Sequence, residues 1–239
     1  HRFWAVALGA GAISAAMFLV AARSPLVGVP LLYFVQLPIF VAGFSAGAAA
    51  SAVAGAAATG ALMALHDYWA ALSFGAMFVV PVVVLVRQAL LSRRDQEGGV
   101  EWYPIGLLTG WLLAIGGGLL GLGGAWLATY GNVEQAATQI ASTMMDTMAR
   151  LTQQPAPTPE ARARGAENLG GVLLGTVAAT LLVIAVVNGA LAQGLARRFG
   201  WNRRPSPEMA GLDLPWHVPA LFAAALVLGS VLPGDLGYM

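Results

Sequence analysis

The sequence predicts an all-α fold, a polytopic bundle of transmembrane helices, from its composition and from the length of its apolar runs. Hydrophobic residues make up 58% of the 239 residues and charged residues only 10%. Soluble domains are about 45–50% apolar and about 25% charged, so this chain would expose apolar surface that only lipid can cover. The apolar runs are about 20 residues long, the length of a helix that crosses a bilayer. They lack the alternation of barrel strands, which leaves helices as the spanning structure.

Seven runs satisfy this length rule within a single transmembrane domain, residues 1–239. They occupy residues 3–22, 26–44, 46–65, 70–91, 104–130, 170–193 and 215–232. The second and third runs meet around Gly43 and Gly47 with no polar loop, which fits either a tight hairpin or one span with a re-entrant turn. The chain starts at His1 without an initiator Met and stops at Met239 just after an apolar run. We therefore expect a fragment of a slightly longer protein with one more span.

The arginines predict which ends of the spans face the cytoplasm, because short cytoplasmic loops are enriched in basic residues. All twelve basic residues are arginines. Two predicted loops on one side of the membrane, residues 92–102 and 195–214, hold six of them. Arg2 falls on the same side, whereas Arg23 falls on the other. The count predicts a cytoplasmic N-terminus in a bacterial inner membrane.

The predicted outer loop, residues 131–169, contains one amphipathic helix that does not span the membrane. Asn132 is placed to cap this helix, with Gln135 three residues on, and prolines from Pro155 to Pro159 are placed to end it. Its nearly neutral polar face favours a helix over the outer mouth of the bundle, or a simple connection between spans, rather than one bound to anionic lipid. The apolar residues recur at helical steps of three or four: Val133, Ala137, Ile140, Met144, Met148 and Leu151.

Ionisable side chains near the centre of a span are functional candidates, and the predicted spans have none there. This absence disfavours proton- or sodium-driven carriers, voltage sensors and haem-carrying spans. The polar residues at depth are neutral, and four of them are candidates for binding a small, mostly apolar ligand: Tyr33, Gln36, Thr109 and Asn188. The alternative role for the two amides is interhelical hydrogen bonding, worth about 0.6–2 kcal/mol each.

Small residues recur every four positions in two spans, which places them on one face of each helix. Such faces let helices approach closely, and they serve either packing within the bundle or docking of a partner helix. In the third span and its approach they are Gly43, Gly47, Ser51, Gly55 and Thr59; in the fifth span they are Gly106, Gly110, Ala114 and Gly118. Pro38 and Pro81 lie inside the second and fourth spans and predict distortions of those helices.

No catalytic, cofactor or metal motif is visible in the sequence. Cysteine is absent, which excludes disulfides and thiolate sites. The glycines between residues 116 and 124 lie within an apolar span, with no strand before them and no Lys after them, so they do not form a phosphate loop. A net charge of +1 gives no reason to expect nucleic acid. We expect no enzyme activity, no cofactor and no metal.

Five stretches carry a family resemblance: LPIFVAG at 37–43, RQALLSR at 87–93, EWYP at 101–104, LPW at 214–216 and PGDLGY at 233–238. They resemble the YybS-like family of bacterial multispan membrane proteins, a domain of unknown function. That family looks distantly similar to the substrate-binding S components of energy-coupling-factor transporters, which are bundles of about six helices. The likeness implies a ligand site near the outer face. It also implies docking on a partner through small residues of the first helix, which here are Ala12 and Ala16, or Ala5 and Gly9.

Together these features favour a membrane-embedded component for small-molecule binding or uptake that performs no chemistry of its own. Its expected partners are the lipid bilayer and another membrane protein, such as a transporter module. The alternative is a scaffold that assembles with envelope or cell-division machinery through its small-residue faces, without transport.

Overall fold

The computed structural model describes residues 2–94, 99–129, 132–153 and 158–205, together with Trp216 and Ala220. The chain divides into two compact units. Unit 1 comprises His1–Leu113 and Leu181–Pro215, and unit 2 comprises Ala114–Thr180 and Trp216–Met239. Apart from Trp216 and Ala220, the predicted seventh span at 215–232 lies outside the described residues.

The described residues form mainly helices, which confirms the predicted all-α bundle. The helices are α1 Arg2–Arg23, α2 Pro25–Phe34, α3 Leu37–Ala46, α4 Ala48–Leu65, α5 Tyr68–Phe74, α6 Val80–Ala89, α7 Ile105–Ala128, α8 Val133–Thr152 and α9 Pro159–Arg198, with a π-helical turn, Gly75–Val79, between α5 and α6. Six stretches of the described chain are long and apolar enough to cross a membrane: Phe3–Arg23, Val27–Ala46, Ala48–Leu65, Tyr68–Ala89, Ile105–Ala128 and Val172–Arg198. They match the first six predicted spans.

In unit 1, α4 is the central helix. It packs along α1 and also contacts α3, α5 and α6. Small residues set the distances: a Cβ added at Gly11 would lie 2.5 Å from the Ala54 carbonyl oxygen, and one added at Gly43 would lie 2.6 Å from a Val86 methyl carbon. Lipid is as apolar as the helix surfaces, so close van der Waals contact of this kind is what holds transmembrane helices together.

The second and third predicted spans are joined by a tight hairpin. α3 ends at Ala46, α4 begins at Ala48, and Gly47 between them has a φ of 106°. This region of φ favours glycine because a Cβ would be strained there. Gly43 and Ser51, equally far from Gly47 in sequence, lie against each other. The structure therefore has the hairpin and not the re-entrant turn.

The second span is broken at its proline, as predicted. Pro38 has no N–H to donate to the carbonyl of Phe34. The regular helix is interrupted at Val35 and Gln36, between α2 and α3. The Val35 N–H bonds the carbonyl of Leu32 at 3.4 Å, three residues back rather than four. Carbonyl groups of this turn are therefore available to partners outside the helix.

A wider turn precedes the proline of the fourth span. The Val80 N–H bonds the carbonyl of Gly75, five residues back, at the end of the π-helical turn. Pro81 then lies at the start of α6, where its missing N–H is not needed. The predicted distortion is thus confirmed as a π-helical turn, which lets the span continue.

The loop after α6 contains a short hairpin that the sequence does not predict. Its strands, β1 Ser92–Arg94 and β2 Val100–Trp102, pair antiparallel. Arg93 bonds Glu101 across the pair at 2.7 Å. Strands this short and exposed carry no periodic signal.

Residues 159–169 of the predicted outer loop are helical and form the first turns of α9, before the apolar stretch Val172–Arg198. The sequence predicts Pro159 as a helix stop, but it is the first helical residue, a position that tolerates proline. The Thr158 hydroxyl caps this start by accepting from the Ala161 N–H at 3.3 Å. α9 is consequently 40 residues long and runs without interruption into the sixth span.

In unit 2, α8 is the predicted amphipathic helix. The Asn132 side-chain oxygen accepts from the Gln135 N–H at 3.3 Å, which confirms the predicted cap. The side chains of Val133 and Leu151, and the proposed stop at Pro155, lie outside the described residues.

The buried face of α8 differs from the predicted one. Ala137 is buried as predicted, but Met144 and Met148 are 55% and 61% exposed. The helix presents Thr138 to α9, where Gly170 leaves room for backbone contact. The face of α8 that contacts α9 is thus set more by the glycines of α9 than by the apolar residues of α8.

Close packing at Gly55 predicts a strong effect of one added methyl group. A Cβ at Gly55 would lie 2.1 Å from a Val79 methyl carbon, whereas no described atom lies within 4 Å of one at Gly60 on the same helix. We expect Gly55→Ala to lower the free energy of unfolding by about 1–3 kcal/mol through overpacking. Gly60→Ala should leave it unchanged or raise it. Unfolding in mixed detergent micelles measures both. If Val79→Ala restored the stability lost in Gly55→Ala, the contact between Gly55 and Val79 would be supported. Equal losses in Gly55→Ala and Gly60→Ala would contradict it.

Candidate ligand-binding site

Asn188 connects α9 to the break in the second span. Its side chain is fully buried. The Asn188 Nδ2 donates to the carbonyl oxygen of Tyr33 at 2.6 Å and to that of Ile184, in its own helix, at 2.8 Å. Tyr33 lies in the last turn of α2, just before the break. The interhelical role predicted for Asn188 is therefore confirmed for the donor half of its amide.

Gln36 lies in the break itself, one helical turn after Tyr33, and is fully buried. Neither its Oε1 nor its Nε2 has a hydrogen-bond partner among the described residues, and the same is true of the Asn188 Oδ1 and the Ser14 hydroxyl. Each buried polar group without a partner costs about 1–3 kcal/mol. Unit 1 therefore holds buried donors and acceptors that a polar group from outside the chain would satisfy.

The other two predicted ligand residues are placed differently. The Tyr33 side chain is 47% exposed, and only the carbonyl of this residue takes part in the contact with Asn188. Thr109 is half-buried, and its hydroxyl donates to the carbonyl of Gly106 in its own helix. Sequence reasoning also missed Ser14, whose only signal is a hydroxyl in an Ala-rich run.

The small residues of the third span pack within unit 1. Ser51 is fully buried, and its hydroxyl donates to the carbonyl of Ala48 at 2.7 Å. Val79 packs against Gly55, and Gly47 forms the turn between α3 and α4. These contacts are of the kind that packing within the bundle requires.

The small residues of the first and fifth spans are placed differently. On α1 the close contact with α4 is made by Gly11, whereas Ala12 and Ala16 are exposed, as are Ala5 and Gly9. On α7, no described atom lies within 4 Å of a Cβ built at Gly110 or Gly118, and Ala114 is exposed. These faces make no close contact with the described part of the chain.

An arginine joins three helix ends at the other polar region of unit 1. Arg204 is only 8% exposed and donates to the carbonyl of Ala89 at 2.8 Å and to that of Tyr103 at 3.0 Å. Its guanidinium lies 6.0 Å from the centre of the Trp102 ring. Burial lowers the pKa of Arg204 below its ordinary value. Arg204 thus fixes the segment after α9 to the end of α6 and to the start of α7.

The membrane character of the chain agrees with its family. A model for predicted membrane proteins, DUF2232, matches residues 12–239. The chain belongs to the DUF2232 family. No curated protein and no solved structure matches it. The narrower resemblance to YybS-like proteins and to transporter S components stays a prediction for this DUF2232 member.

The two buried amides of this DUF2232 protein predict opposite responses to the same substitution. Asn188→Leu removes an interhelical hydrogen bond and should lower the free energy of unfolding by about 0.6–2 kcal/mol. Gln36→Leu removes no hydrogen bond to a described residue and should be neutral or stabilising in protein washed free of ligand. Unfolding in mixed detergent micelles compares the two. A loss in Gln36→Leu as large as that in Asn188→Leu would show that Gln36 is already bonded in the folded chain.

Proposed function

We propose that this DUF2232 protein is a membrane-embedded component for small-molecule binding or uptake, resembling a transporter S component, and that it performs no chemistry of its own. The observation that carries the proposal is the set of unpaired polar atoms on Gln36, Asn188 and Ser14, all fully buried in unit 1. Native proteins pair the great majority of their buried polar groups, so these unpaired atoms are the groups for which a bound molecule would supply the missing partners.

The chemistry of these groups limits the ligand. Gln36 offers one donor group and one acceptor, and the Asn188 Oδ1 offers a second acceptor. The fully buried polar side chains of this part of unit 1 are neutral, and an uncompensated charge at depth would be costly. We therefore propose a neutral, mostly apolar ligand that carries an adjacent hydrogen-bond donor and acceptor, such as an amide or a ring lactam.

Native mass spectrometry of protein purified in mild detergent from its own membrane tests this proposal. We expect a retained small molecule of defined mass. It should be lost in Gln36→Leu and kept in Gln88→Leu, the same substitution at a buried glutamine of α6. A retained ATPase module would favour uptake. Absence of any small molecule from the parent protein, or its equal retention in Gln36→Leu, would contradict the proposed site.

We also propose that the N-terminus is cytoplasmic and that the membrane is a bacterial inner membrane. Contacts within unit 1 support the common side assigned to the basic loops. Arg204 bonds both ends of the loop between α6 and α7. The Arg203 N–H bonds the carbonyl of Phe44 at the end of α3. Phe3 lines the same cavity as Trp201 and Arg203, so the start of α1 lies at this end too.

The alternative function, a scaffold for envelope or cell-division machinery, is favoured by one observation. A Cβ built at any of several α7 glycines meets no described atom within 4 Å, so this face can accept another helix. Gly110, Gly117, Gly118 and Gly121 form this open face.

Bulky residues on the open face test the scaffold. Gly110→Leu with Gly118→Leu should abolish co-purification of envelope proteins while leaving the Gln36-dependent ligand in place. Gly60→Leu, at an equally open glycine of α4, is the control and should have no effect. Unchanged co-purification in the double variant would exclude this face as the partner site.

A further inference from the structure

A cavity of about 500 Å³ at one end of unit 1 is lined by two arginines, Arg87 and Arg203. No acidic residue lines it, and within the described chain neither arginine forms an ion pair. Trp102 and Gly47 also border the cavity. Neither Gln36 nor Asn188 is among its lining residues, so it is separate from the proposed ligand site. Two like charges converge here without a counter-ion from the described residues.

Arg203 is held in place by the end of α3. Its N–H donates to the carbonyl of Phe44 at 3.2 Å, and its Nε donates to the carbonyl of Ser45 at 3.4 Å. The guanidinium then lies over the turn, with its Nη1 3.1 Å from the position of a Cβ at Gly47. The two Nη groups have no hydrogen-bond partner among the described residues. They remain available to a ligand in the cavity.

The start of α4 adds donors at the same point. Ala48, the first residue of α4, lines the cavity. The N–H groups of Ala48 and Ala49 have no acceptor inside the helix, whereas those of Ala50 and Ser51 bond the Gly47 carbonyl; the helix dipole makes this end attractive to anions. Two guanidinium groups and these amides together suit a phosphate group, since a guanidinium fork matches phosphate oxygens in pairs.

A second cavity, of about 470 Å³, shares the lining residue Arg203 with the first. It is lined largely by apolar groups, including Phe3, Val6 and Val41, and by Trp201. Tryptophans are typical of the headgroup level of the bilayer. A basic cavity and an apolar cavity on the two sides of one arginine at this level match the chemistry of a phospholipid, with the phosphate in one and an acyl chain in the other.

We propose that Arg87 and Arg203 bind the phosphate of an anionic phospholipid, whose acyl chain lies along the apolar cavity beside Phe3 and Val41. The site fixes one lipid at the hairpin turn of α3 and α4. It does not depend on the proposed function, because it uses different residues and a different class of ligand.

The test uses the whole chain, delipidated in a non-ionic detergent, with phosphatidylglycerol as the probe. Native mass spectrometry and thermal unfolding measure retention and protection. We expect a single tightly held phosphatidylglycerol and weaker retention of phosphatidylcholine. One basic residue at an anionic lipid contributes roughly a fivefold factor in affinity, so Arg87→Gln with Arg203→Gln should weaken retention roughly 10–30-fold.

Arg94→Gln is the matched control, because Arg94 is an exposed arginine in the loop next to Arg87 that lines neither cavity. It should retain the lipid as the parent does, and Arg203→Lys should retain most of it. If the double variant does not fold, the single variant Arg87→Gln tests the site, and we expect it to weaken lipid retention about fivefold. The Gln36-dependent ligand should stay bound in every variant.

Three results would overturn the proposal. Equal retention of phosphatidylcholine and phosphatidylglycerol would show that only the apolar cavity binds lipid. If inorganic phosphate protected the protein against thermal unfolding as strongly as phosphatidylglycerol does, the occupant would be a soluble anion. An equal loss in Arg94→Gln and Arg87→Gln would show a general effect of surface charge.

Discussion

In the hydrocarbon region every peptide group must find its hydrogen-bond partner inside the protein, because no water is available to replace it. This constraint explains the arrangement of unit 1 around Pro38. The proline removes a donor and the second span breaks, so the chain must supply a partner from elsewhere. Carbonyl groups in the last turn of α2 lose their helical donors at this break, and Asn188 bonds one of them, that of Tyr33, at 2.6 Å. One side chain of α9 thereby fixes α9 to the break.

The break also brings polar atoms to a place that is otherwise apolar. The helices of unit 1 approach each other through small residues such as Gly11, Gly43 and Gly55, which leaves the interior closely packed. Within it, Gln36 lies at the break with both polar atoms unpaired. A glutamine there is unfavourable for stability alone, since leucine would fill similar space without a desolvation cost. The proposed ligand would supply the partners that this side chain lacks.

Much of the architecture follows from the sequence, because a transmembrane helix needs only length and apolar composition. Prolines show where a helix is distorted, because each lacks the N–H that a helix needs. An amide at membrane depth, such as Asn188, needs a hydrogen-bond partner in another helix. The sequence does not show which face of each helix packs against its neighbours. A helix that is apolar on all sides has no periodicity to show which side is buried, so Gly11 and its exposed neighbour Ala12 look equivalent. For the same reason the exposure of Tyr33 is not predictable. The role of Arg204 is not predictable either. In the sequence it looks like any charged loop residue, because the three residues that it contacts are distant in sequence.

We propose that the unpaired amides at the break in the second span receive a bound molecule. An electron cryo-microscopy map of the protein purified from its own membrane, at a resolution that shows side chains, tests it most directly. We expect density larger than a water molecule within hydrogen-bonding distance of the Gln36 amide and the Asn188 Oδ1. A map in which these two amides bond each other, or in which apolar side chains close over them, would contradict it.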